Sequence, residues 1–205
     1  MSKHQEQARG PSGFSRRAFL RGSGAAAAAT ALATGAAQAA DEAKSAVVGG
    51  PTTITLDVNG AAHKVQVEPR TSLLEALRYG LNLTGAKPVC SDGASGAATV
   101  LVDGKPVSAN TLLALQCVGK KIVTAESLAG AKLDPVAAAF VRHDATQCGF
   151  CTPGFVVAVK AFLAKNPQAT EQQIREGLNG NLCRCGTYAN IIPAVIDVVK
   201  GANHG

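Results

Sequence analysis

The segment QCGFCTPGFVVAVKAFLAKNPQATEQQIREGLNGNLCRCGTY, residues 147–188, joins two close cysteine pairs through helix-forming sequence. Gly149 and Phe150 separate Cys148 from Cys151, and Arg184 alone separates Cys183 from Cys185. Each pair sits at a helix end in a turn with glycine, Gly149 inside the first and Gly186 after the second. Residues at i and i+3, or at i and i+2 in a tight turn, can face one centre. A helical bundle that brings both turns together sets four thiolates around it. Thiolates are soft donors that suit an iron–sulfur cluster or zinc. Backbone N–H groups in such turns, and at the start of a 153–165 helix, can donate to sulfur and stabilise its charge. On spacing alone, disulfides, a structural four-cysteine zinc site and buried inert thiols remain alternatives. The common zinc ribbon wants two C-x2-C pairs, and here the second pair is C-x-C.

From Asp134 onward the apolar period is helical. DPVAAAFVRHDA (134–145), PGFVVAVKAFLAKNP (153–167), TEQQIREGLNG (170–180) and YANIIPAVIDVVKG (188–201) each fit a helix. Asp134 before Pro135 reads as an N-cap and first-turn proline, and Thr152 before Pro153 repeats the pattern. Thr170 with Gln173 fits a capping box. Four short helices predict a compact bundle.

Before that boundary the period drops to two. TTITLDV (52–58) and HKVQVE (63–68) alternate apolar and polar side chains about Asn59-Gly60, a pair that accepts the positive φ of a tight hairpin turn. Ser72 with Glu75 fits a capping box, and Leu73, Leu74, Leu77 and Leu81 share one helical face. A Gly-rich loop runs from Thr84 to Ala98. ATVLVDGKPV (98–107) is a second hairpin with Asp103-Gly104 in its turn, and KKIVTAE (120–126) is a further strand. The expected fold class is α+β, with a β-grasp domain over residues 52–130 and a helical domain over 131–205. No internal repeat is visible.

Residues 1–39 read as an address. SRRAFLR (15–21) carries a twin arginine followed by an apolar pair, the mark of the bacterial Tat export route. A weakly apolar, alanine-rich stretch follows from Gly22 to Ala36. Ala37-Gln38-Ala39 then supplies a small-x-small cleavage site. The stretch is too short and too weakly apolar for a membrane span, which needs roughly 20 apolar residues. The expected mature protein begins near Ala40, with a linker over 40–51, and is periplasmic. The Tat route moves folded proteins, so a cofactor can be inserted in the cytoplasm first.

With 46% hydrophobic and 17% charged residues the 205-residue chain is globular in composition. Of the net charge of +6, the leader holds +4, from Lys3, Arg9, Arg16, Arg17 and Arg21 against Glu6. No basic patch interleaved with aromatics marks a nucleic-acid partner. His4, His63, His143 and His204 form no ligand spacing, and His143 reads as a cap or surface residue. No phosphate-binding loop, dinucleotide fingerprint or nucleophile elbow is present.

QCGFCTPGF (147–155) followed by GLNGNLCRCGTY (177–188) resembles the second half of the small iron–sulfur subunits of molybdenum hydroxylases, the xanthine dehydrogenase and aldehyde oxidoreductase family. The resemblance extends from about Thr53 to Val199. It implies a ferredoxin-like β-grasp domain followed by a four-helix [2Fe–2S]-binding domain, with Cys148, Cys151, Cys183 and Cys185 as ligands. It also implies that Gln147 and Cys185 lie against the pterin cofactor of a separate large subunit.

One departure stands out. The family carries a second cluster on a plant-type C-x4-C-x2-C…C set. Here the matching positions are Cys90, Ser95, Ala98 and Asn110. Gly93 and Gly96 remain. The expectation is therefore one cluster, with Cys90 and Cys117 outside it and Cys117 a buried small hydrophobe. The implied function is a non-catalytic redox subunit of a periplasmic molybdenum-dependent oxidoreductase. Its partner large subunit oxidises an aldehyde or heterocycle, and a cytochrome or flavin subunit takes the electrons. The competing class is a non-redox structural or binding subunit whose four paired cysteines hold zinc.

Overall fold

The computed structural model describes residues 49–130 and 132–202. The Tat-type leader, the linker up to residue 48 and His204 lie outside the described residues. The chain is α+β: a five-stranded mixed sheet precedes a helical half.

Strands β1 (Thr52–Val58) and β2 (Ala61–Val67) form the first hairpin. Its turn uses Asn59 at φ 55° and Gly60 at φ 80°, the conformation that a two-residue hairpin loop requires. So short a turn pairs Val58 directly with Ala61, and β2 starts two residues before the expected His63. Ile54, Leu56 and Val58 point into the core, as do Val65 and Val67.

The capping box forms as expected. Glu75 N–H donates to the Ser72 hydroxyl at 3.2 Å, and Ser72 N–H donates to the Glu75 carboxylate at 2.8 Å. Helix α1 (Leu73–Glu75) is short and continues as a π-turn over Ala76–Gly80, where Leu81 N–H reaches back to the Ala76 carbonyl at 3.1 Å. Leu73, Leu74 and Leu77 are buried and Leu81 is half-buried.

Strands β3 (Thr99–Val102) and β4 (Lys105–Ser108) turn at Asp103 (φ 50°) and Gly104 (φ 75°). Strand β5 (Lys121–Val123) runs parallel to β1 and antiparallel to β3, giving the order β2-β1-β5-β3-β4. The Asn59 side chain fastens this junction, donating to the Thr124 hydroxyl at 3.0 Å and accepting from Thr124 N–H at 2.9 Å.

The helical half comprises α2 (Pro135–Arg142), α3 (Thr152–Lys165), α4 (Glu171–Gly177) and α5 (Tyr188–Ala202). Asp134 caps α2 by accepting from Val136 N–H at 3.0 Å, and Thr170 caps α4 in a capping box with Gln173. The α3 expectation shifts by one residue. Cys151 occupies the N-cap position and Thr152 begins the helix, which places a cysteine at its mouth.

Period two in β3 divides its side chains between two cores. Val100 and Val102 join Leu56, Leu73 and Ile122 on one side of the sheet. Leu101 faces the helices and joins Phe155, Val157, Ile174, Ile191 and Val195. Helix α3 thus lies along the sheet, and the Gly-rich loop before β3 meets its first turn.

Candidate metal centre

Both cysteine pairs occupy loops that end at helix starts. Cys148 and Cys151 fill the turn into α3, with Gly149 at φ 80° between them. Cys183 and Cys185 precede α5, and Gly186 follows at φ 79°. That left-handed backbone is cheap only for glycine.

The two loops bring the four cysteines to one region. Across the loops, Cys151 and Cys183 shift one another's titration, and Cys148 shifts that of Cys185. Cys148 and Cys185 are exposed, and Cys151 and Cys183 are half-buried. A cavity of about 440 Å³ is lined by Cys148, Cys151 and Cys183 together with Val89, Phe150 and Leu182.

Donors converge on Cys183. Its sulfur lies 2.9 Å from the hydroxyl of buried Thr187, and the backbone of Thr187 and of Cys185 also acts on its titration. Burial works to raise the Cys183 thiol, but these donors and Cys151 outweigh it and bring it down to about 7. Cys151 moves the other way, to about 12, chiefly through burial and then through its hydrogen bond with Cys183. For Cys185 the Cys148 N–H acts to lower it, but the Cys148 side chain and burial prevail and raise it. The backbone is held as well: Cys183 N–H donates to the Tyr188 hydroxyl at 2.7 Å, and the Tyr188 ring stands edge-on to Phe155.

This donor set fits a [2Fe–2S] cluster. A single tetrahedral ion draws four thiolates to one point, whereas a two-iron cluster takes two on each iron. Two cysteines from each of two loops supply the four soft sulfur donors that a two-iron cluster takes.

Gln147 and Cys185 are both exposed beside this centre. Large apolar side chains line the cavity over Cys148, Cys151 and Cys183, with Val89 at 51%, Phe150 at 55% and Leu182 at 54% exposure. His143 is the C-cap of α2 and lies 3.3 Å from Asp197 on α5, away from the cysteines.

The positions matching the plant-type set also gather, around different chemistry. The Cys90 sulfur lies 2.9 Å from the Ser95 hydroxyl and accepts from Ser95 N–H at 3.3 Å. The Asn110 amide donates to the Cys90 carbonyl, and buried Ala98 presents only a methyl group. Cys117 is fully buried in the sheet core, and burial pushes its thiol up. Spacing and composition assign no role to Thr187, Tyr188 or Asn181. Their one signal in the sequence is adjacency to Cys183-Arg184-Cys185, a string that stands out for its cysteines alone.

A model of the [2Fe–2S] binding domain family matches residues 124–196. The nicotine 6-hydroxylase small subunit of Paenarthrobacter nicotinovorans is 44% identical over 70% of this chain and 87% of its own length. The aldehyde oxidoreductase iron-sulfur-binding subunit of Escherichia coli (strain K12) is 41% identical over 70% of each chain. Quinoline 2-oxidoreductase of Pseudomonas putida 86 superposes with a TM-score of 0.72 at 41% identity, covering 76% of this chain and 98% of the matched one. The chain belongs to the small iron–sulfur subunits of the molybdenum hydroxylase family, that of the xanthine dehydrogenases and aldehyde oxidoreductases, and carries a [2Fe–2S] cluster.

Proposed function

We propose that Cys148 and Cys185 hold one iron of the cluster and Cys151 and Cys183 the other, and that this is the single cluster of the chain. The observation that carries the reading is the cavity that Cys148, Cys151 and Cys183 line together, with Cys185 in the same turn as Cys183. When bound, the cluster supplies a one-electron carrier. The chain's own residues hold the thiolates, direct N–H and hydroxyl donors at sulfur, and place apolar side chains around the exposed edge.

The chain on this reading is a β-grasp domain over 52–130 followed by a four-helix cluster-binding domain over 131–205. Exposure of Cys185 and Gln147 supports their facing the pterin of a large molybdenum subunit. That subunit would oxidise an aldehyde or an aromatic N-heterocycle, the substrate classes in the relatives' names. Substitution of the plant-type ligands favours an electron acceptor other than the usual flavin route, such as a periplasmic cytochrome. The twin-arginine leader supports a complex that works outside the cytoplasm. Among the described residues no helix is long and apolar enough to cross a membrane.

Metal analysis tests the reading. The native protein is expected to hold about two irons per chain and to give one rhombic paramagnetic resonance signal on reduction. Cys90→Ser leaves both unchanged, whereas Cys151→Ala or Cys183→Ala abolishes both. About four irons per chain, or loss of a signal on Cys90→Ser, would overturn the single-cluster assignment.

A further inference from the structure

The loop that lost its ligands is wired to the loop that keeps them. Cys90, Ser95 and Asn110 form a hydrogen-bonded web that fixes the backbone from Cys90 to Ser95. From the next residues two bonds cross to the helical half. Leu182 N–H donates to the Ser95 carbonyl at 2.9 Å, and the Asn181 side-chain amide donates to the Gly96 carbonyl at 2.9 Å.

Asn181 is 7% exposed, and its bond to Gly96 spans 85 positions of sequence. Its neighbours Leu182 and Cys183 lead straight into the ligand turn. The approach is close on every side. A Cβ on Gly96, already at φ +66°, would lie 2.3 Å from the Gly180 carbonyl oxygen, and one on Gly154 would lie 2.4 Å from the Gly96 carbonyl oxygen. Gly154 sits in the first turn of α3, just after Cys151. The Gly96 carbonyl thus lies between the segments that carry both cysteine loops.

We infer that the emptied loop is a clamp that positions the cluster ligands, with Asn181 as its positioning residue. The web of Cys90, Ser95 and Asn110 takes the place of a metal centre in stiffening the loop. The loop in turn sets the register of the Cys183–Cys185 turn against Cys148 and Cys151. This rests on the assignment of those four cysteines as ligands. Groups that orient metal ligands from behind affect metal retention strongly, by roughly tenfold to hundredfold on mutation.

The test uses the native, cluster-loaded full chain. Asn181→Ala removes the donor to Gly96. It is expected to shift the g-values of the reduced protein and to speed iron release to a chelator by roughly tenfold. Asn110→Ala, which acts at Cys90 and not at the four proposed ligands, is expected to move both in the same direction by less. The double variant falls short of the product of the two single effects, because both act through one loop. If Asn181→Ala does not fold, Asn110→Ala decides alone. A wild-type protein without a rhombic signal overturns the ligand assignment itself. A wild-type signal with unaltered g-values and release rates in the folded variants overturns the clamp and leaves the ligand assignment standing.

Discussion

Thr187 is placed to tune a redox property of the proposed centre. Its hydroxyl lies 2.9 Å from the Cys183 sulfur and its side chain is buried, so water cannot substitute for it. A hydrogen bond to a cluster sulfur stabilises the more negative, reduced state and raises the potential. Thr187→Val keeps the shape and removes the donor. The expected outcome is a midpoint potential lower by tens of millivolts, read by titration of the resonance signal, with iron content unchanged. An unmoved potential would show that the hydroxyl serves packing alone. The residue is adjacent in sequence to motif glycines and cysteines, yet its role depends on the fold. Only when α5 starts at Tyr188 does the Thr187 hydroxyl turn back onto Cys183. A cysteine pair declares its chemistry by spacing, whereas a threonine needs the backbone to be placed first.

At the scale of elements, caps and turns were legible and tertiary registers were not. The capping box of α1 was readable because it is local: Ser72 and Glu75 stand three residues apart and satisfy each other's backbone donors. Removing the hydroxyl with Ser72→Ala is expected to cost about 1 kcal/mol, measured as a fall in urea midpoint. The pH dependence follows from Glu75. Its carboxyl is held below the ordinary 4.5, first by Ser72 N–H and then by the Ser72 hydroxyl. A carboxyl lowered in the folded state contributes stability above its unfolded value, and loses it as pH falls through the folded one. Ser72→Ala keeps the Ser72 N–H and removes the hydroxyl's donation to the carboxylate, so the gap to wild type is expected to narrow below pH 4.5; a gap that stays constant would assign the effect to the bond that the hydroxyl accepts from Glu75 N–H. Both hairpins were readable for the same local reason, through Asn59-Gly60 and Asp103-Gly104. The π continuation over Ala76–Gly80 was not, since it follows from seating Leu77 and Leu81 against the sheet and Gly80 against Val65. Nor was the 3-10 turn at Ala114–Cys117, whose burial is tertiary. The crossing from Asn181 to Gly96 depends on how the sheet and the helices dock, and no period within either half encodes that.

For the whole molecule, the question is where the cluster is assembled and where the subunit works. A cluster held as proposed, by two loops 32 residues apart from Cys151 to Cys183, needs the helical half folded around it. Ligand binding and folding energy are then the same quantity, so assembly belongs in the compartment that supplies iron and sulfide. Export by the Tat route is consistent with that order, because it moves folded protein. On the proposed export route Arg16 and Arg17 would carry the address, read by a receptor and not by membrane partitioning. Replacing both with lysine keeps the charge and removes the paired guanidinium groups, which lysine does not mimic. The double variant is expected to accumulate in the cytoplasm with residues 1–39 attached, visible as a mass increase over the mature form, and with the same iron content as wild type. Retention without iron would place cluster insertion after export. Normal periplasmic accumulation of the double variant would overturn the twin-arginine assignment, and a membrane-bound wild type of full mass would replace cleavage with anchoring.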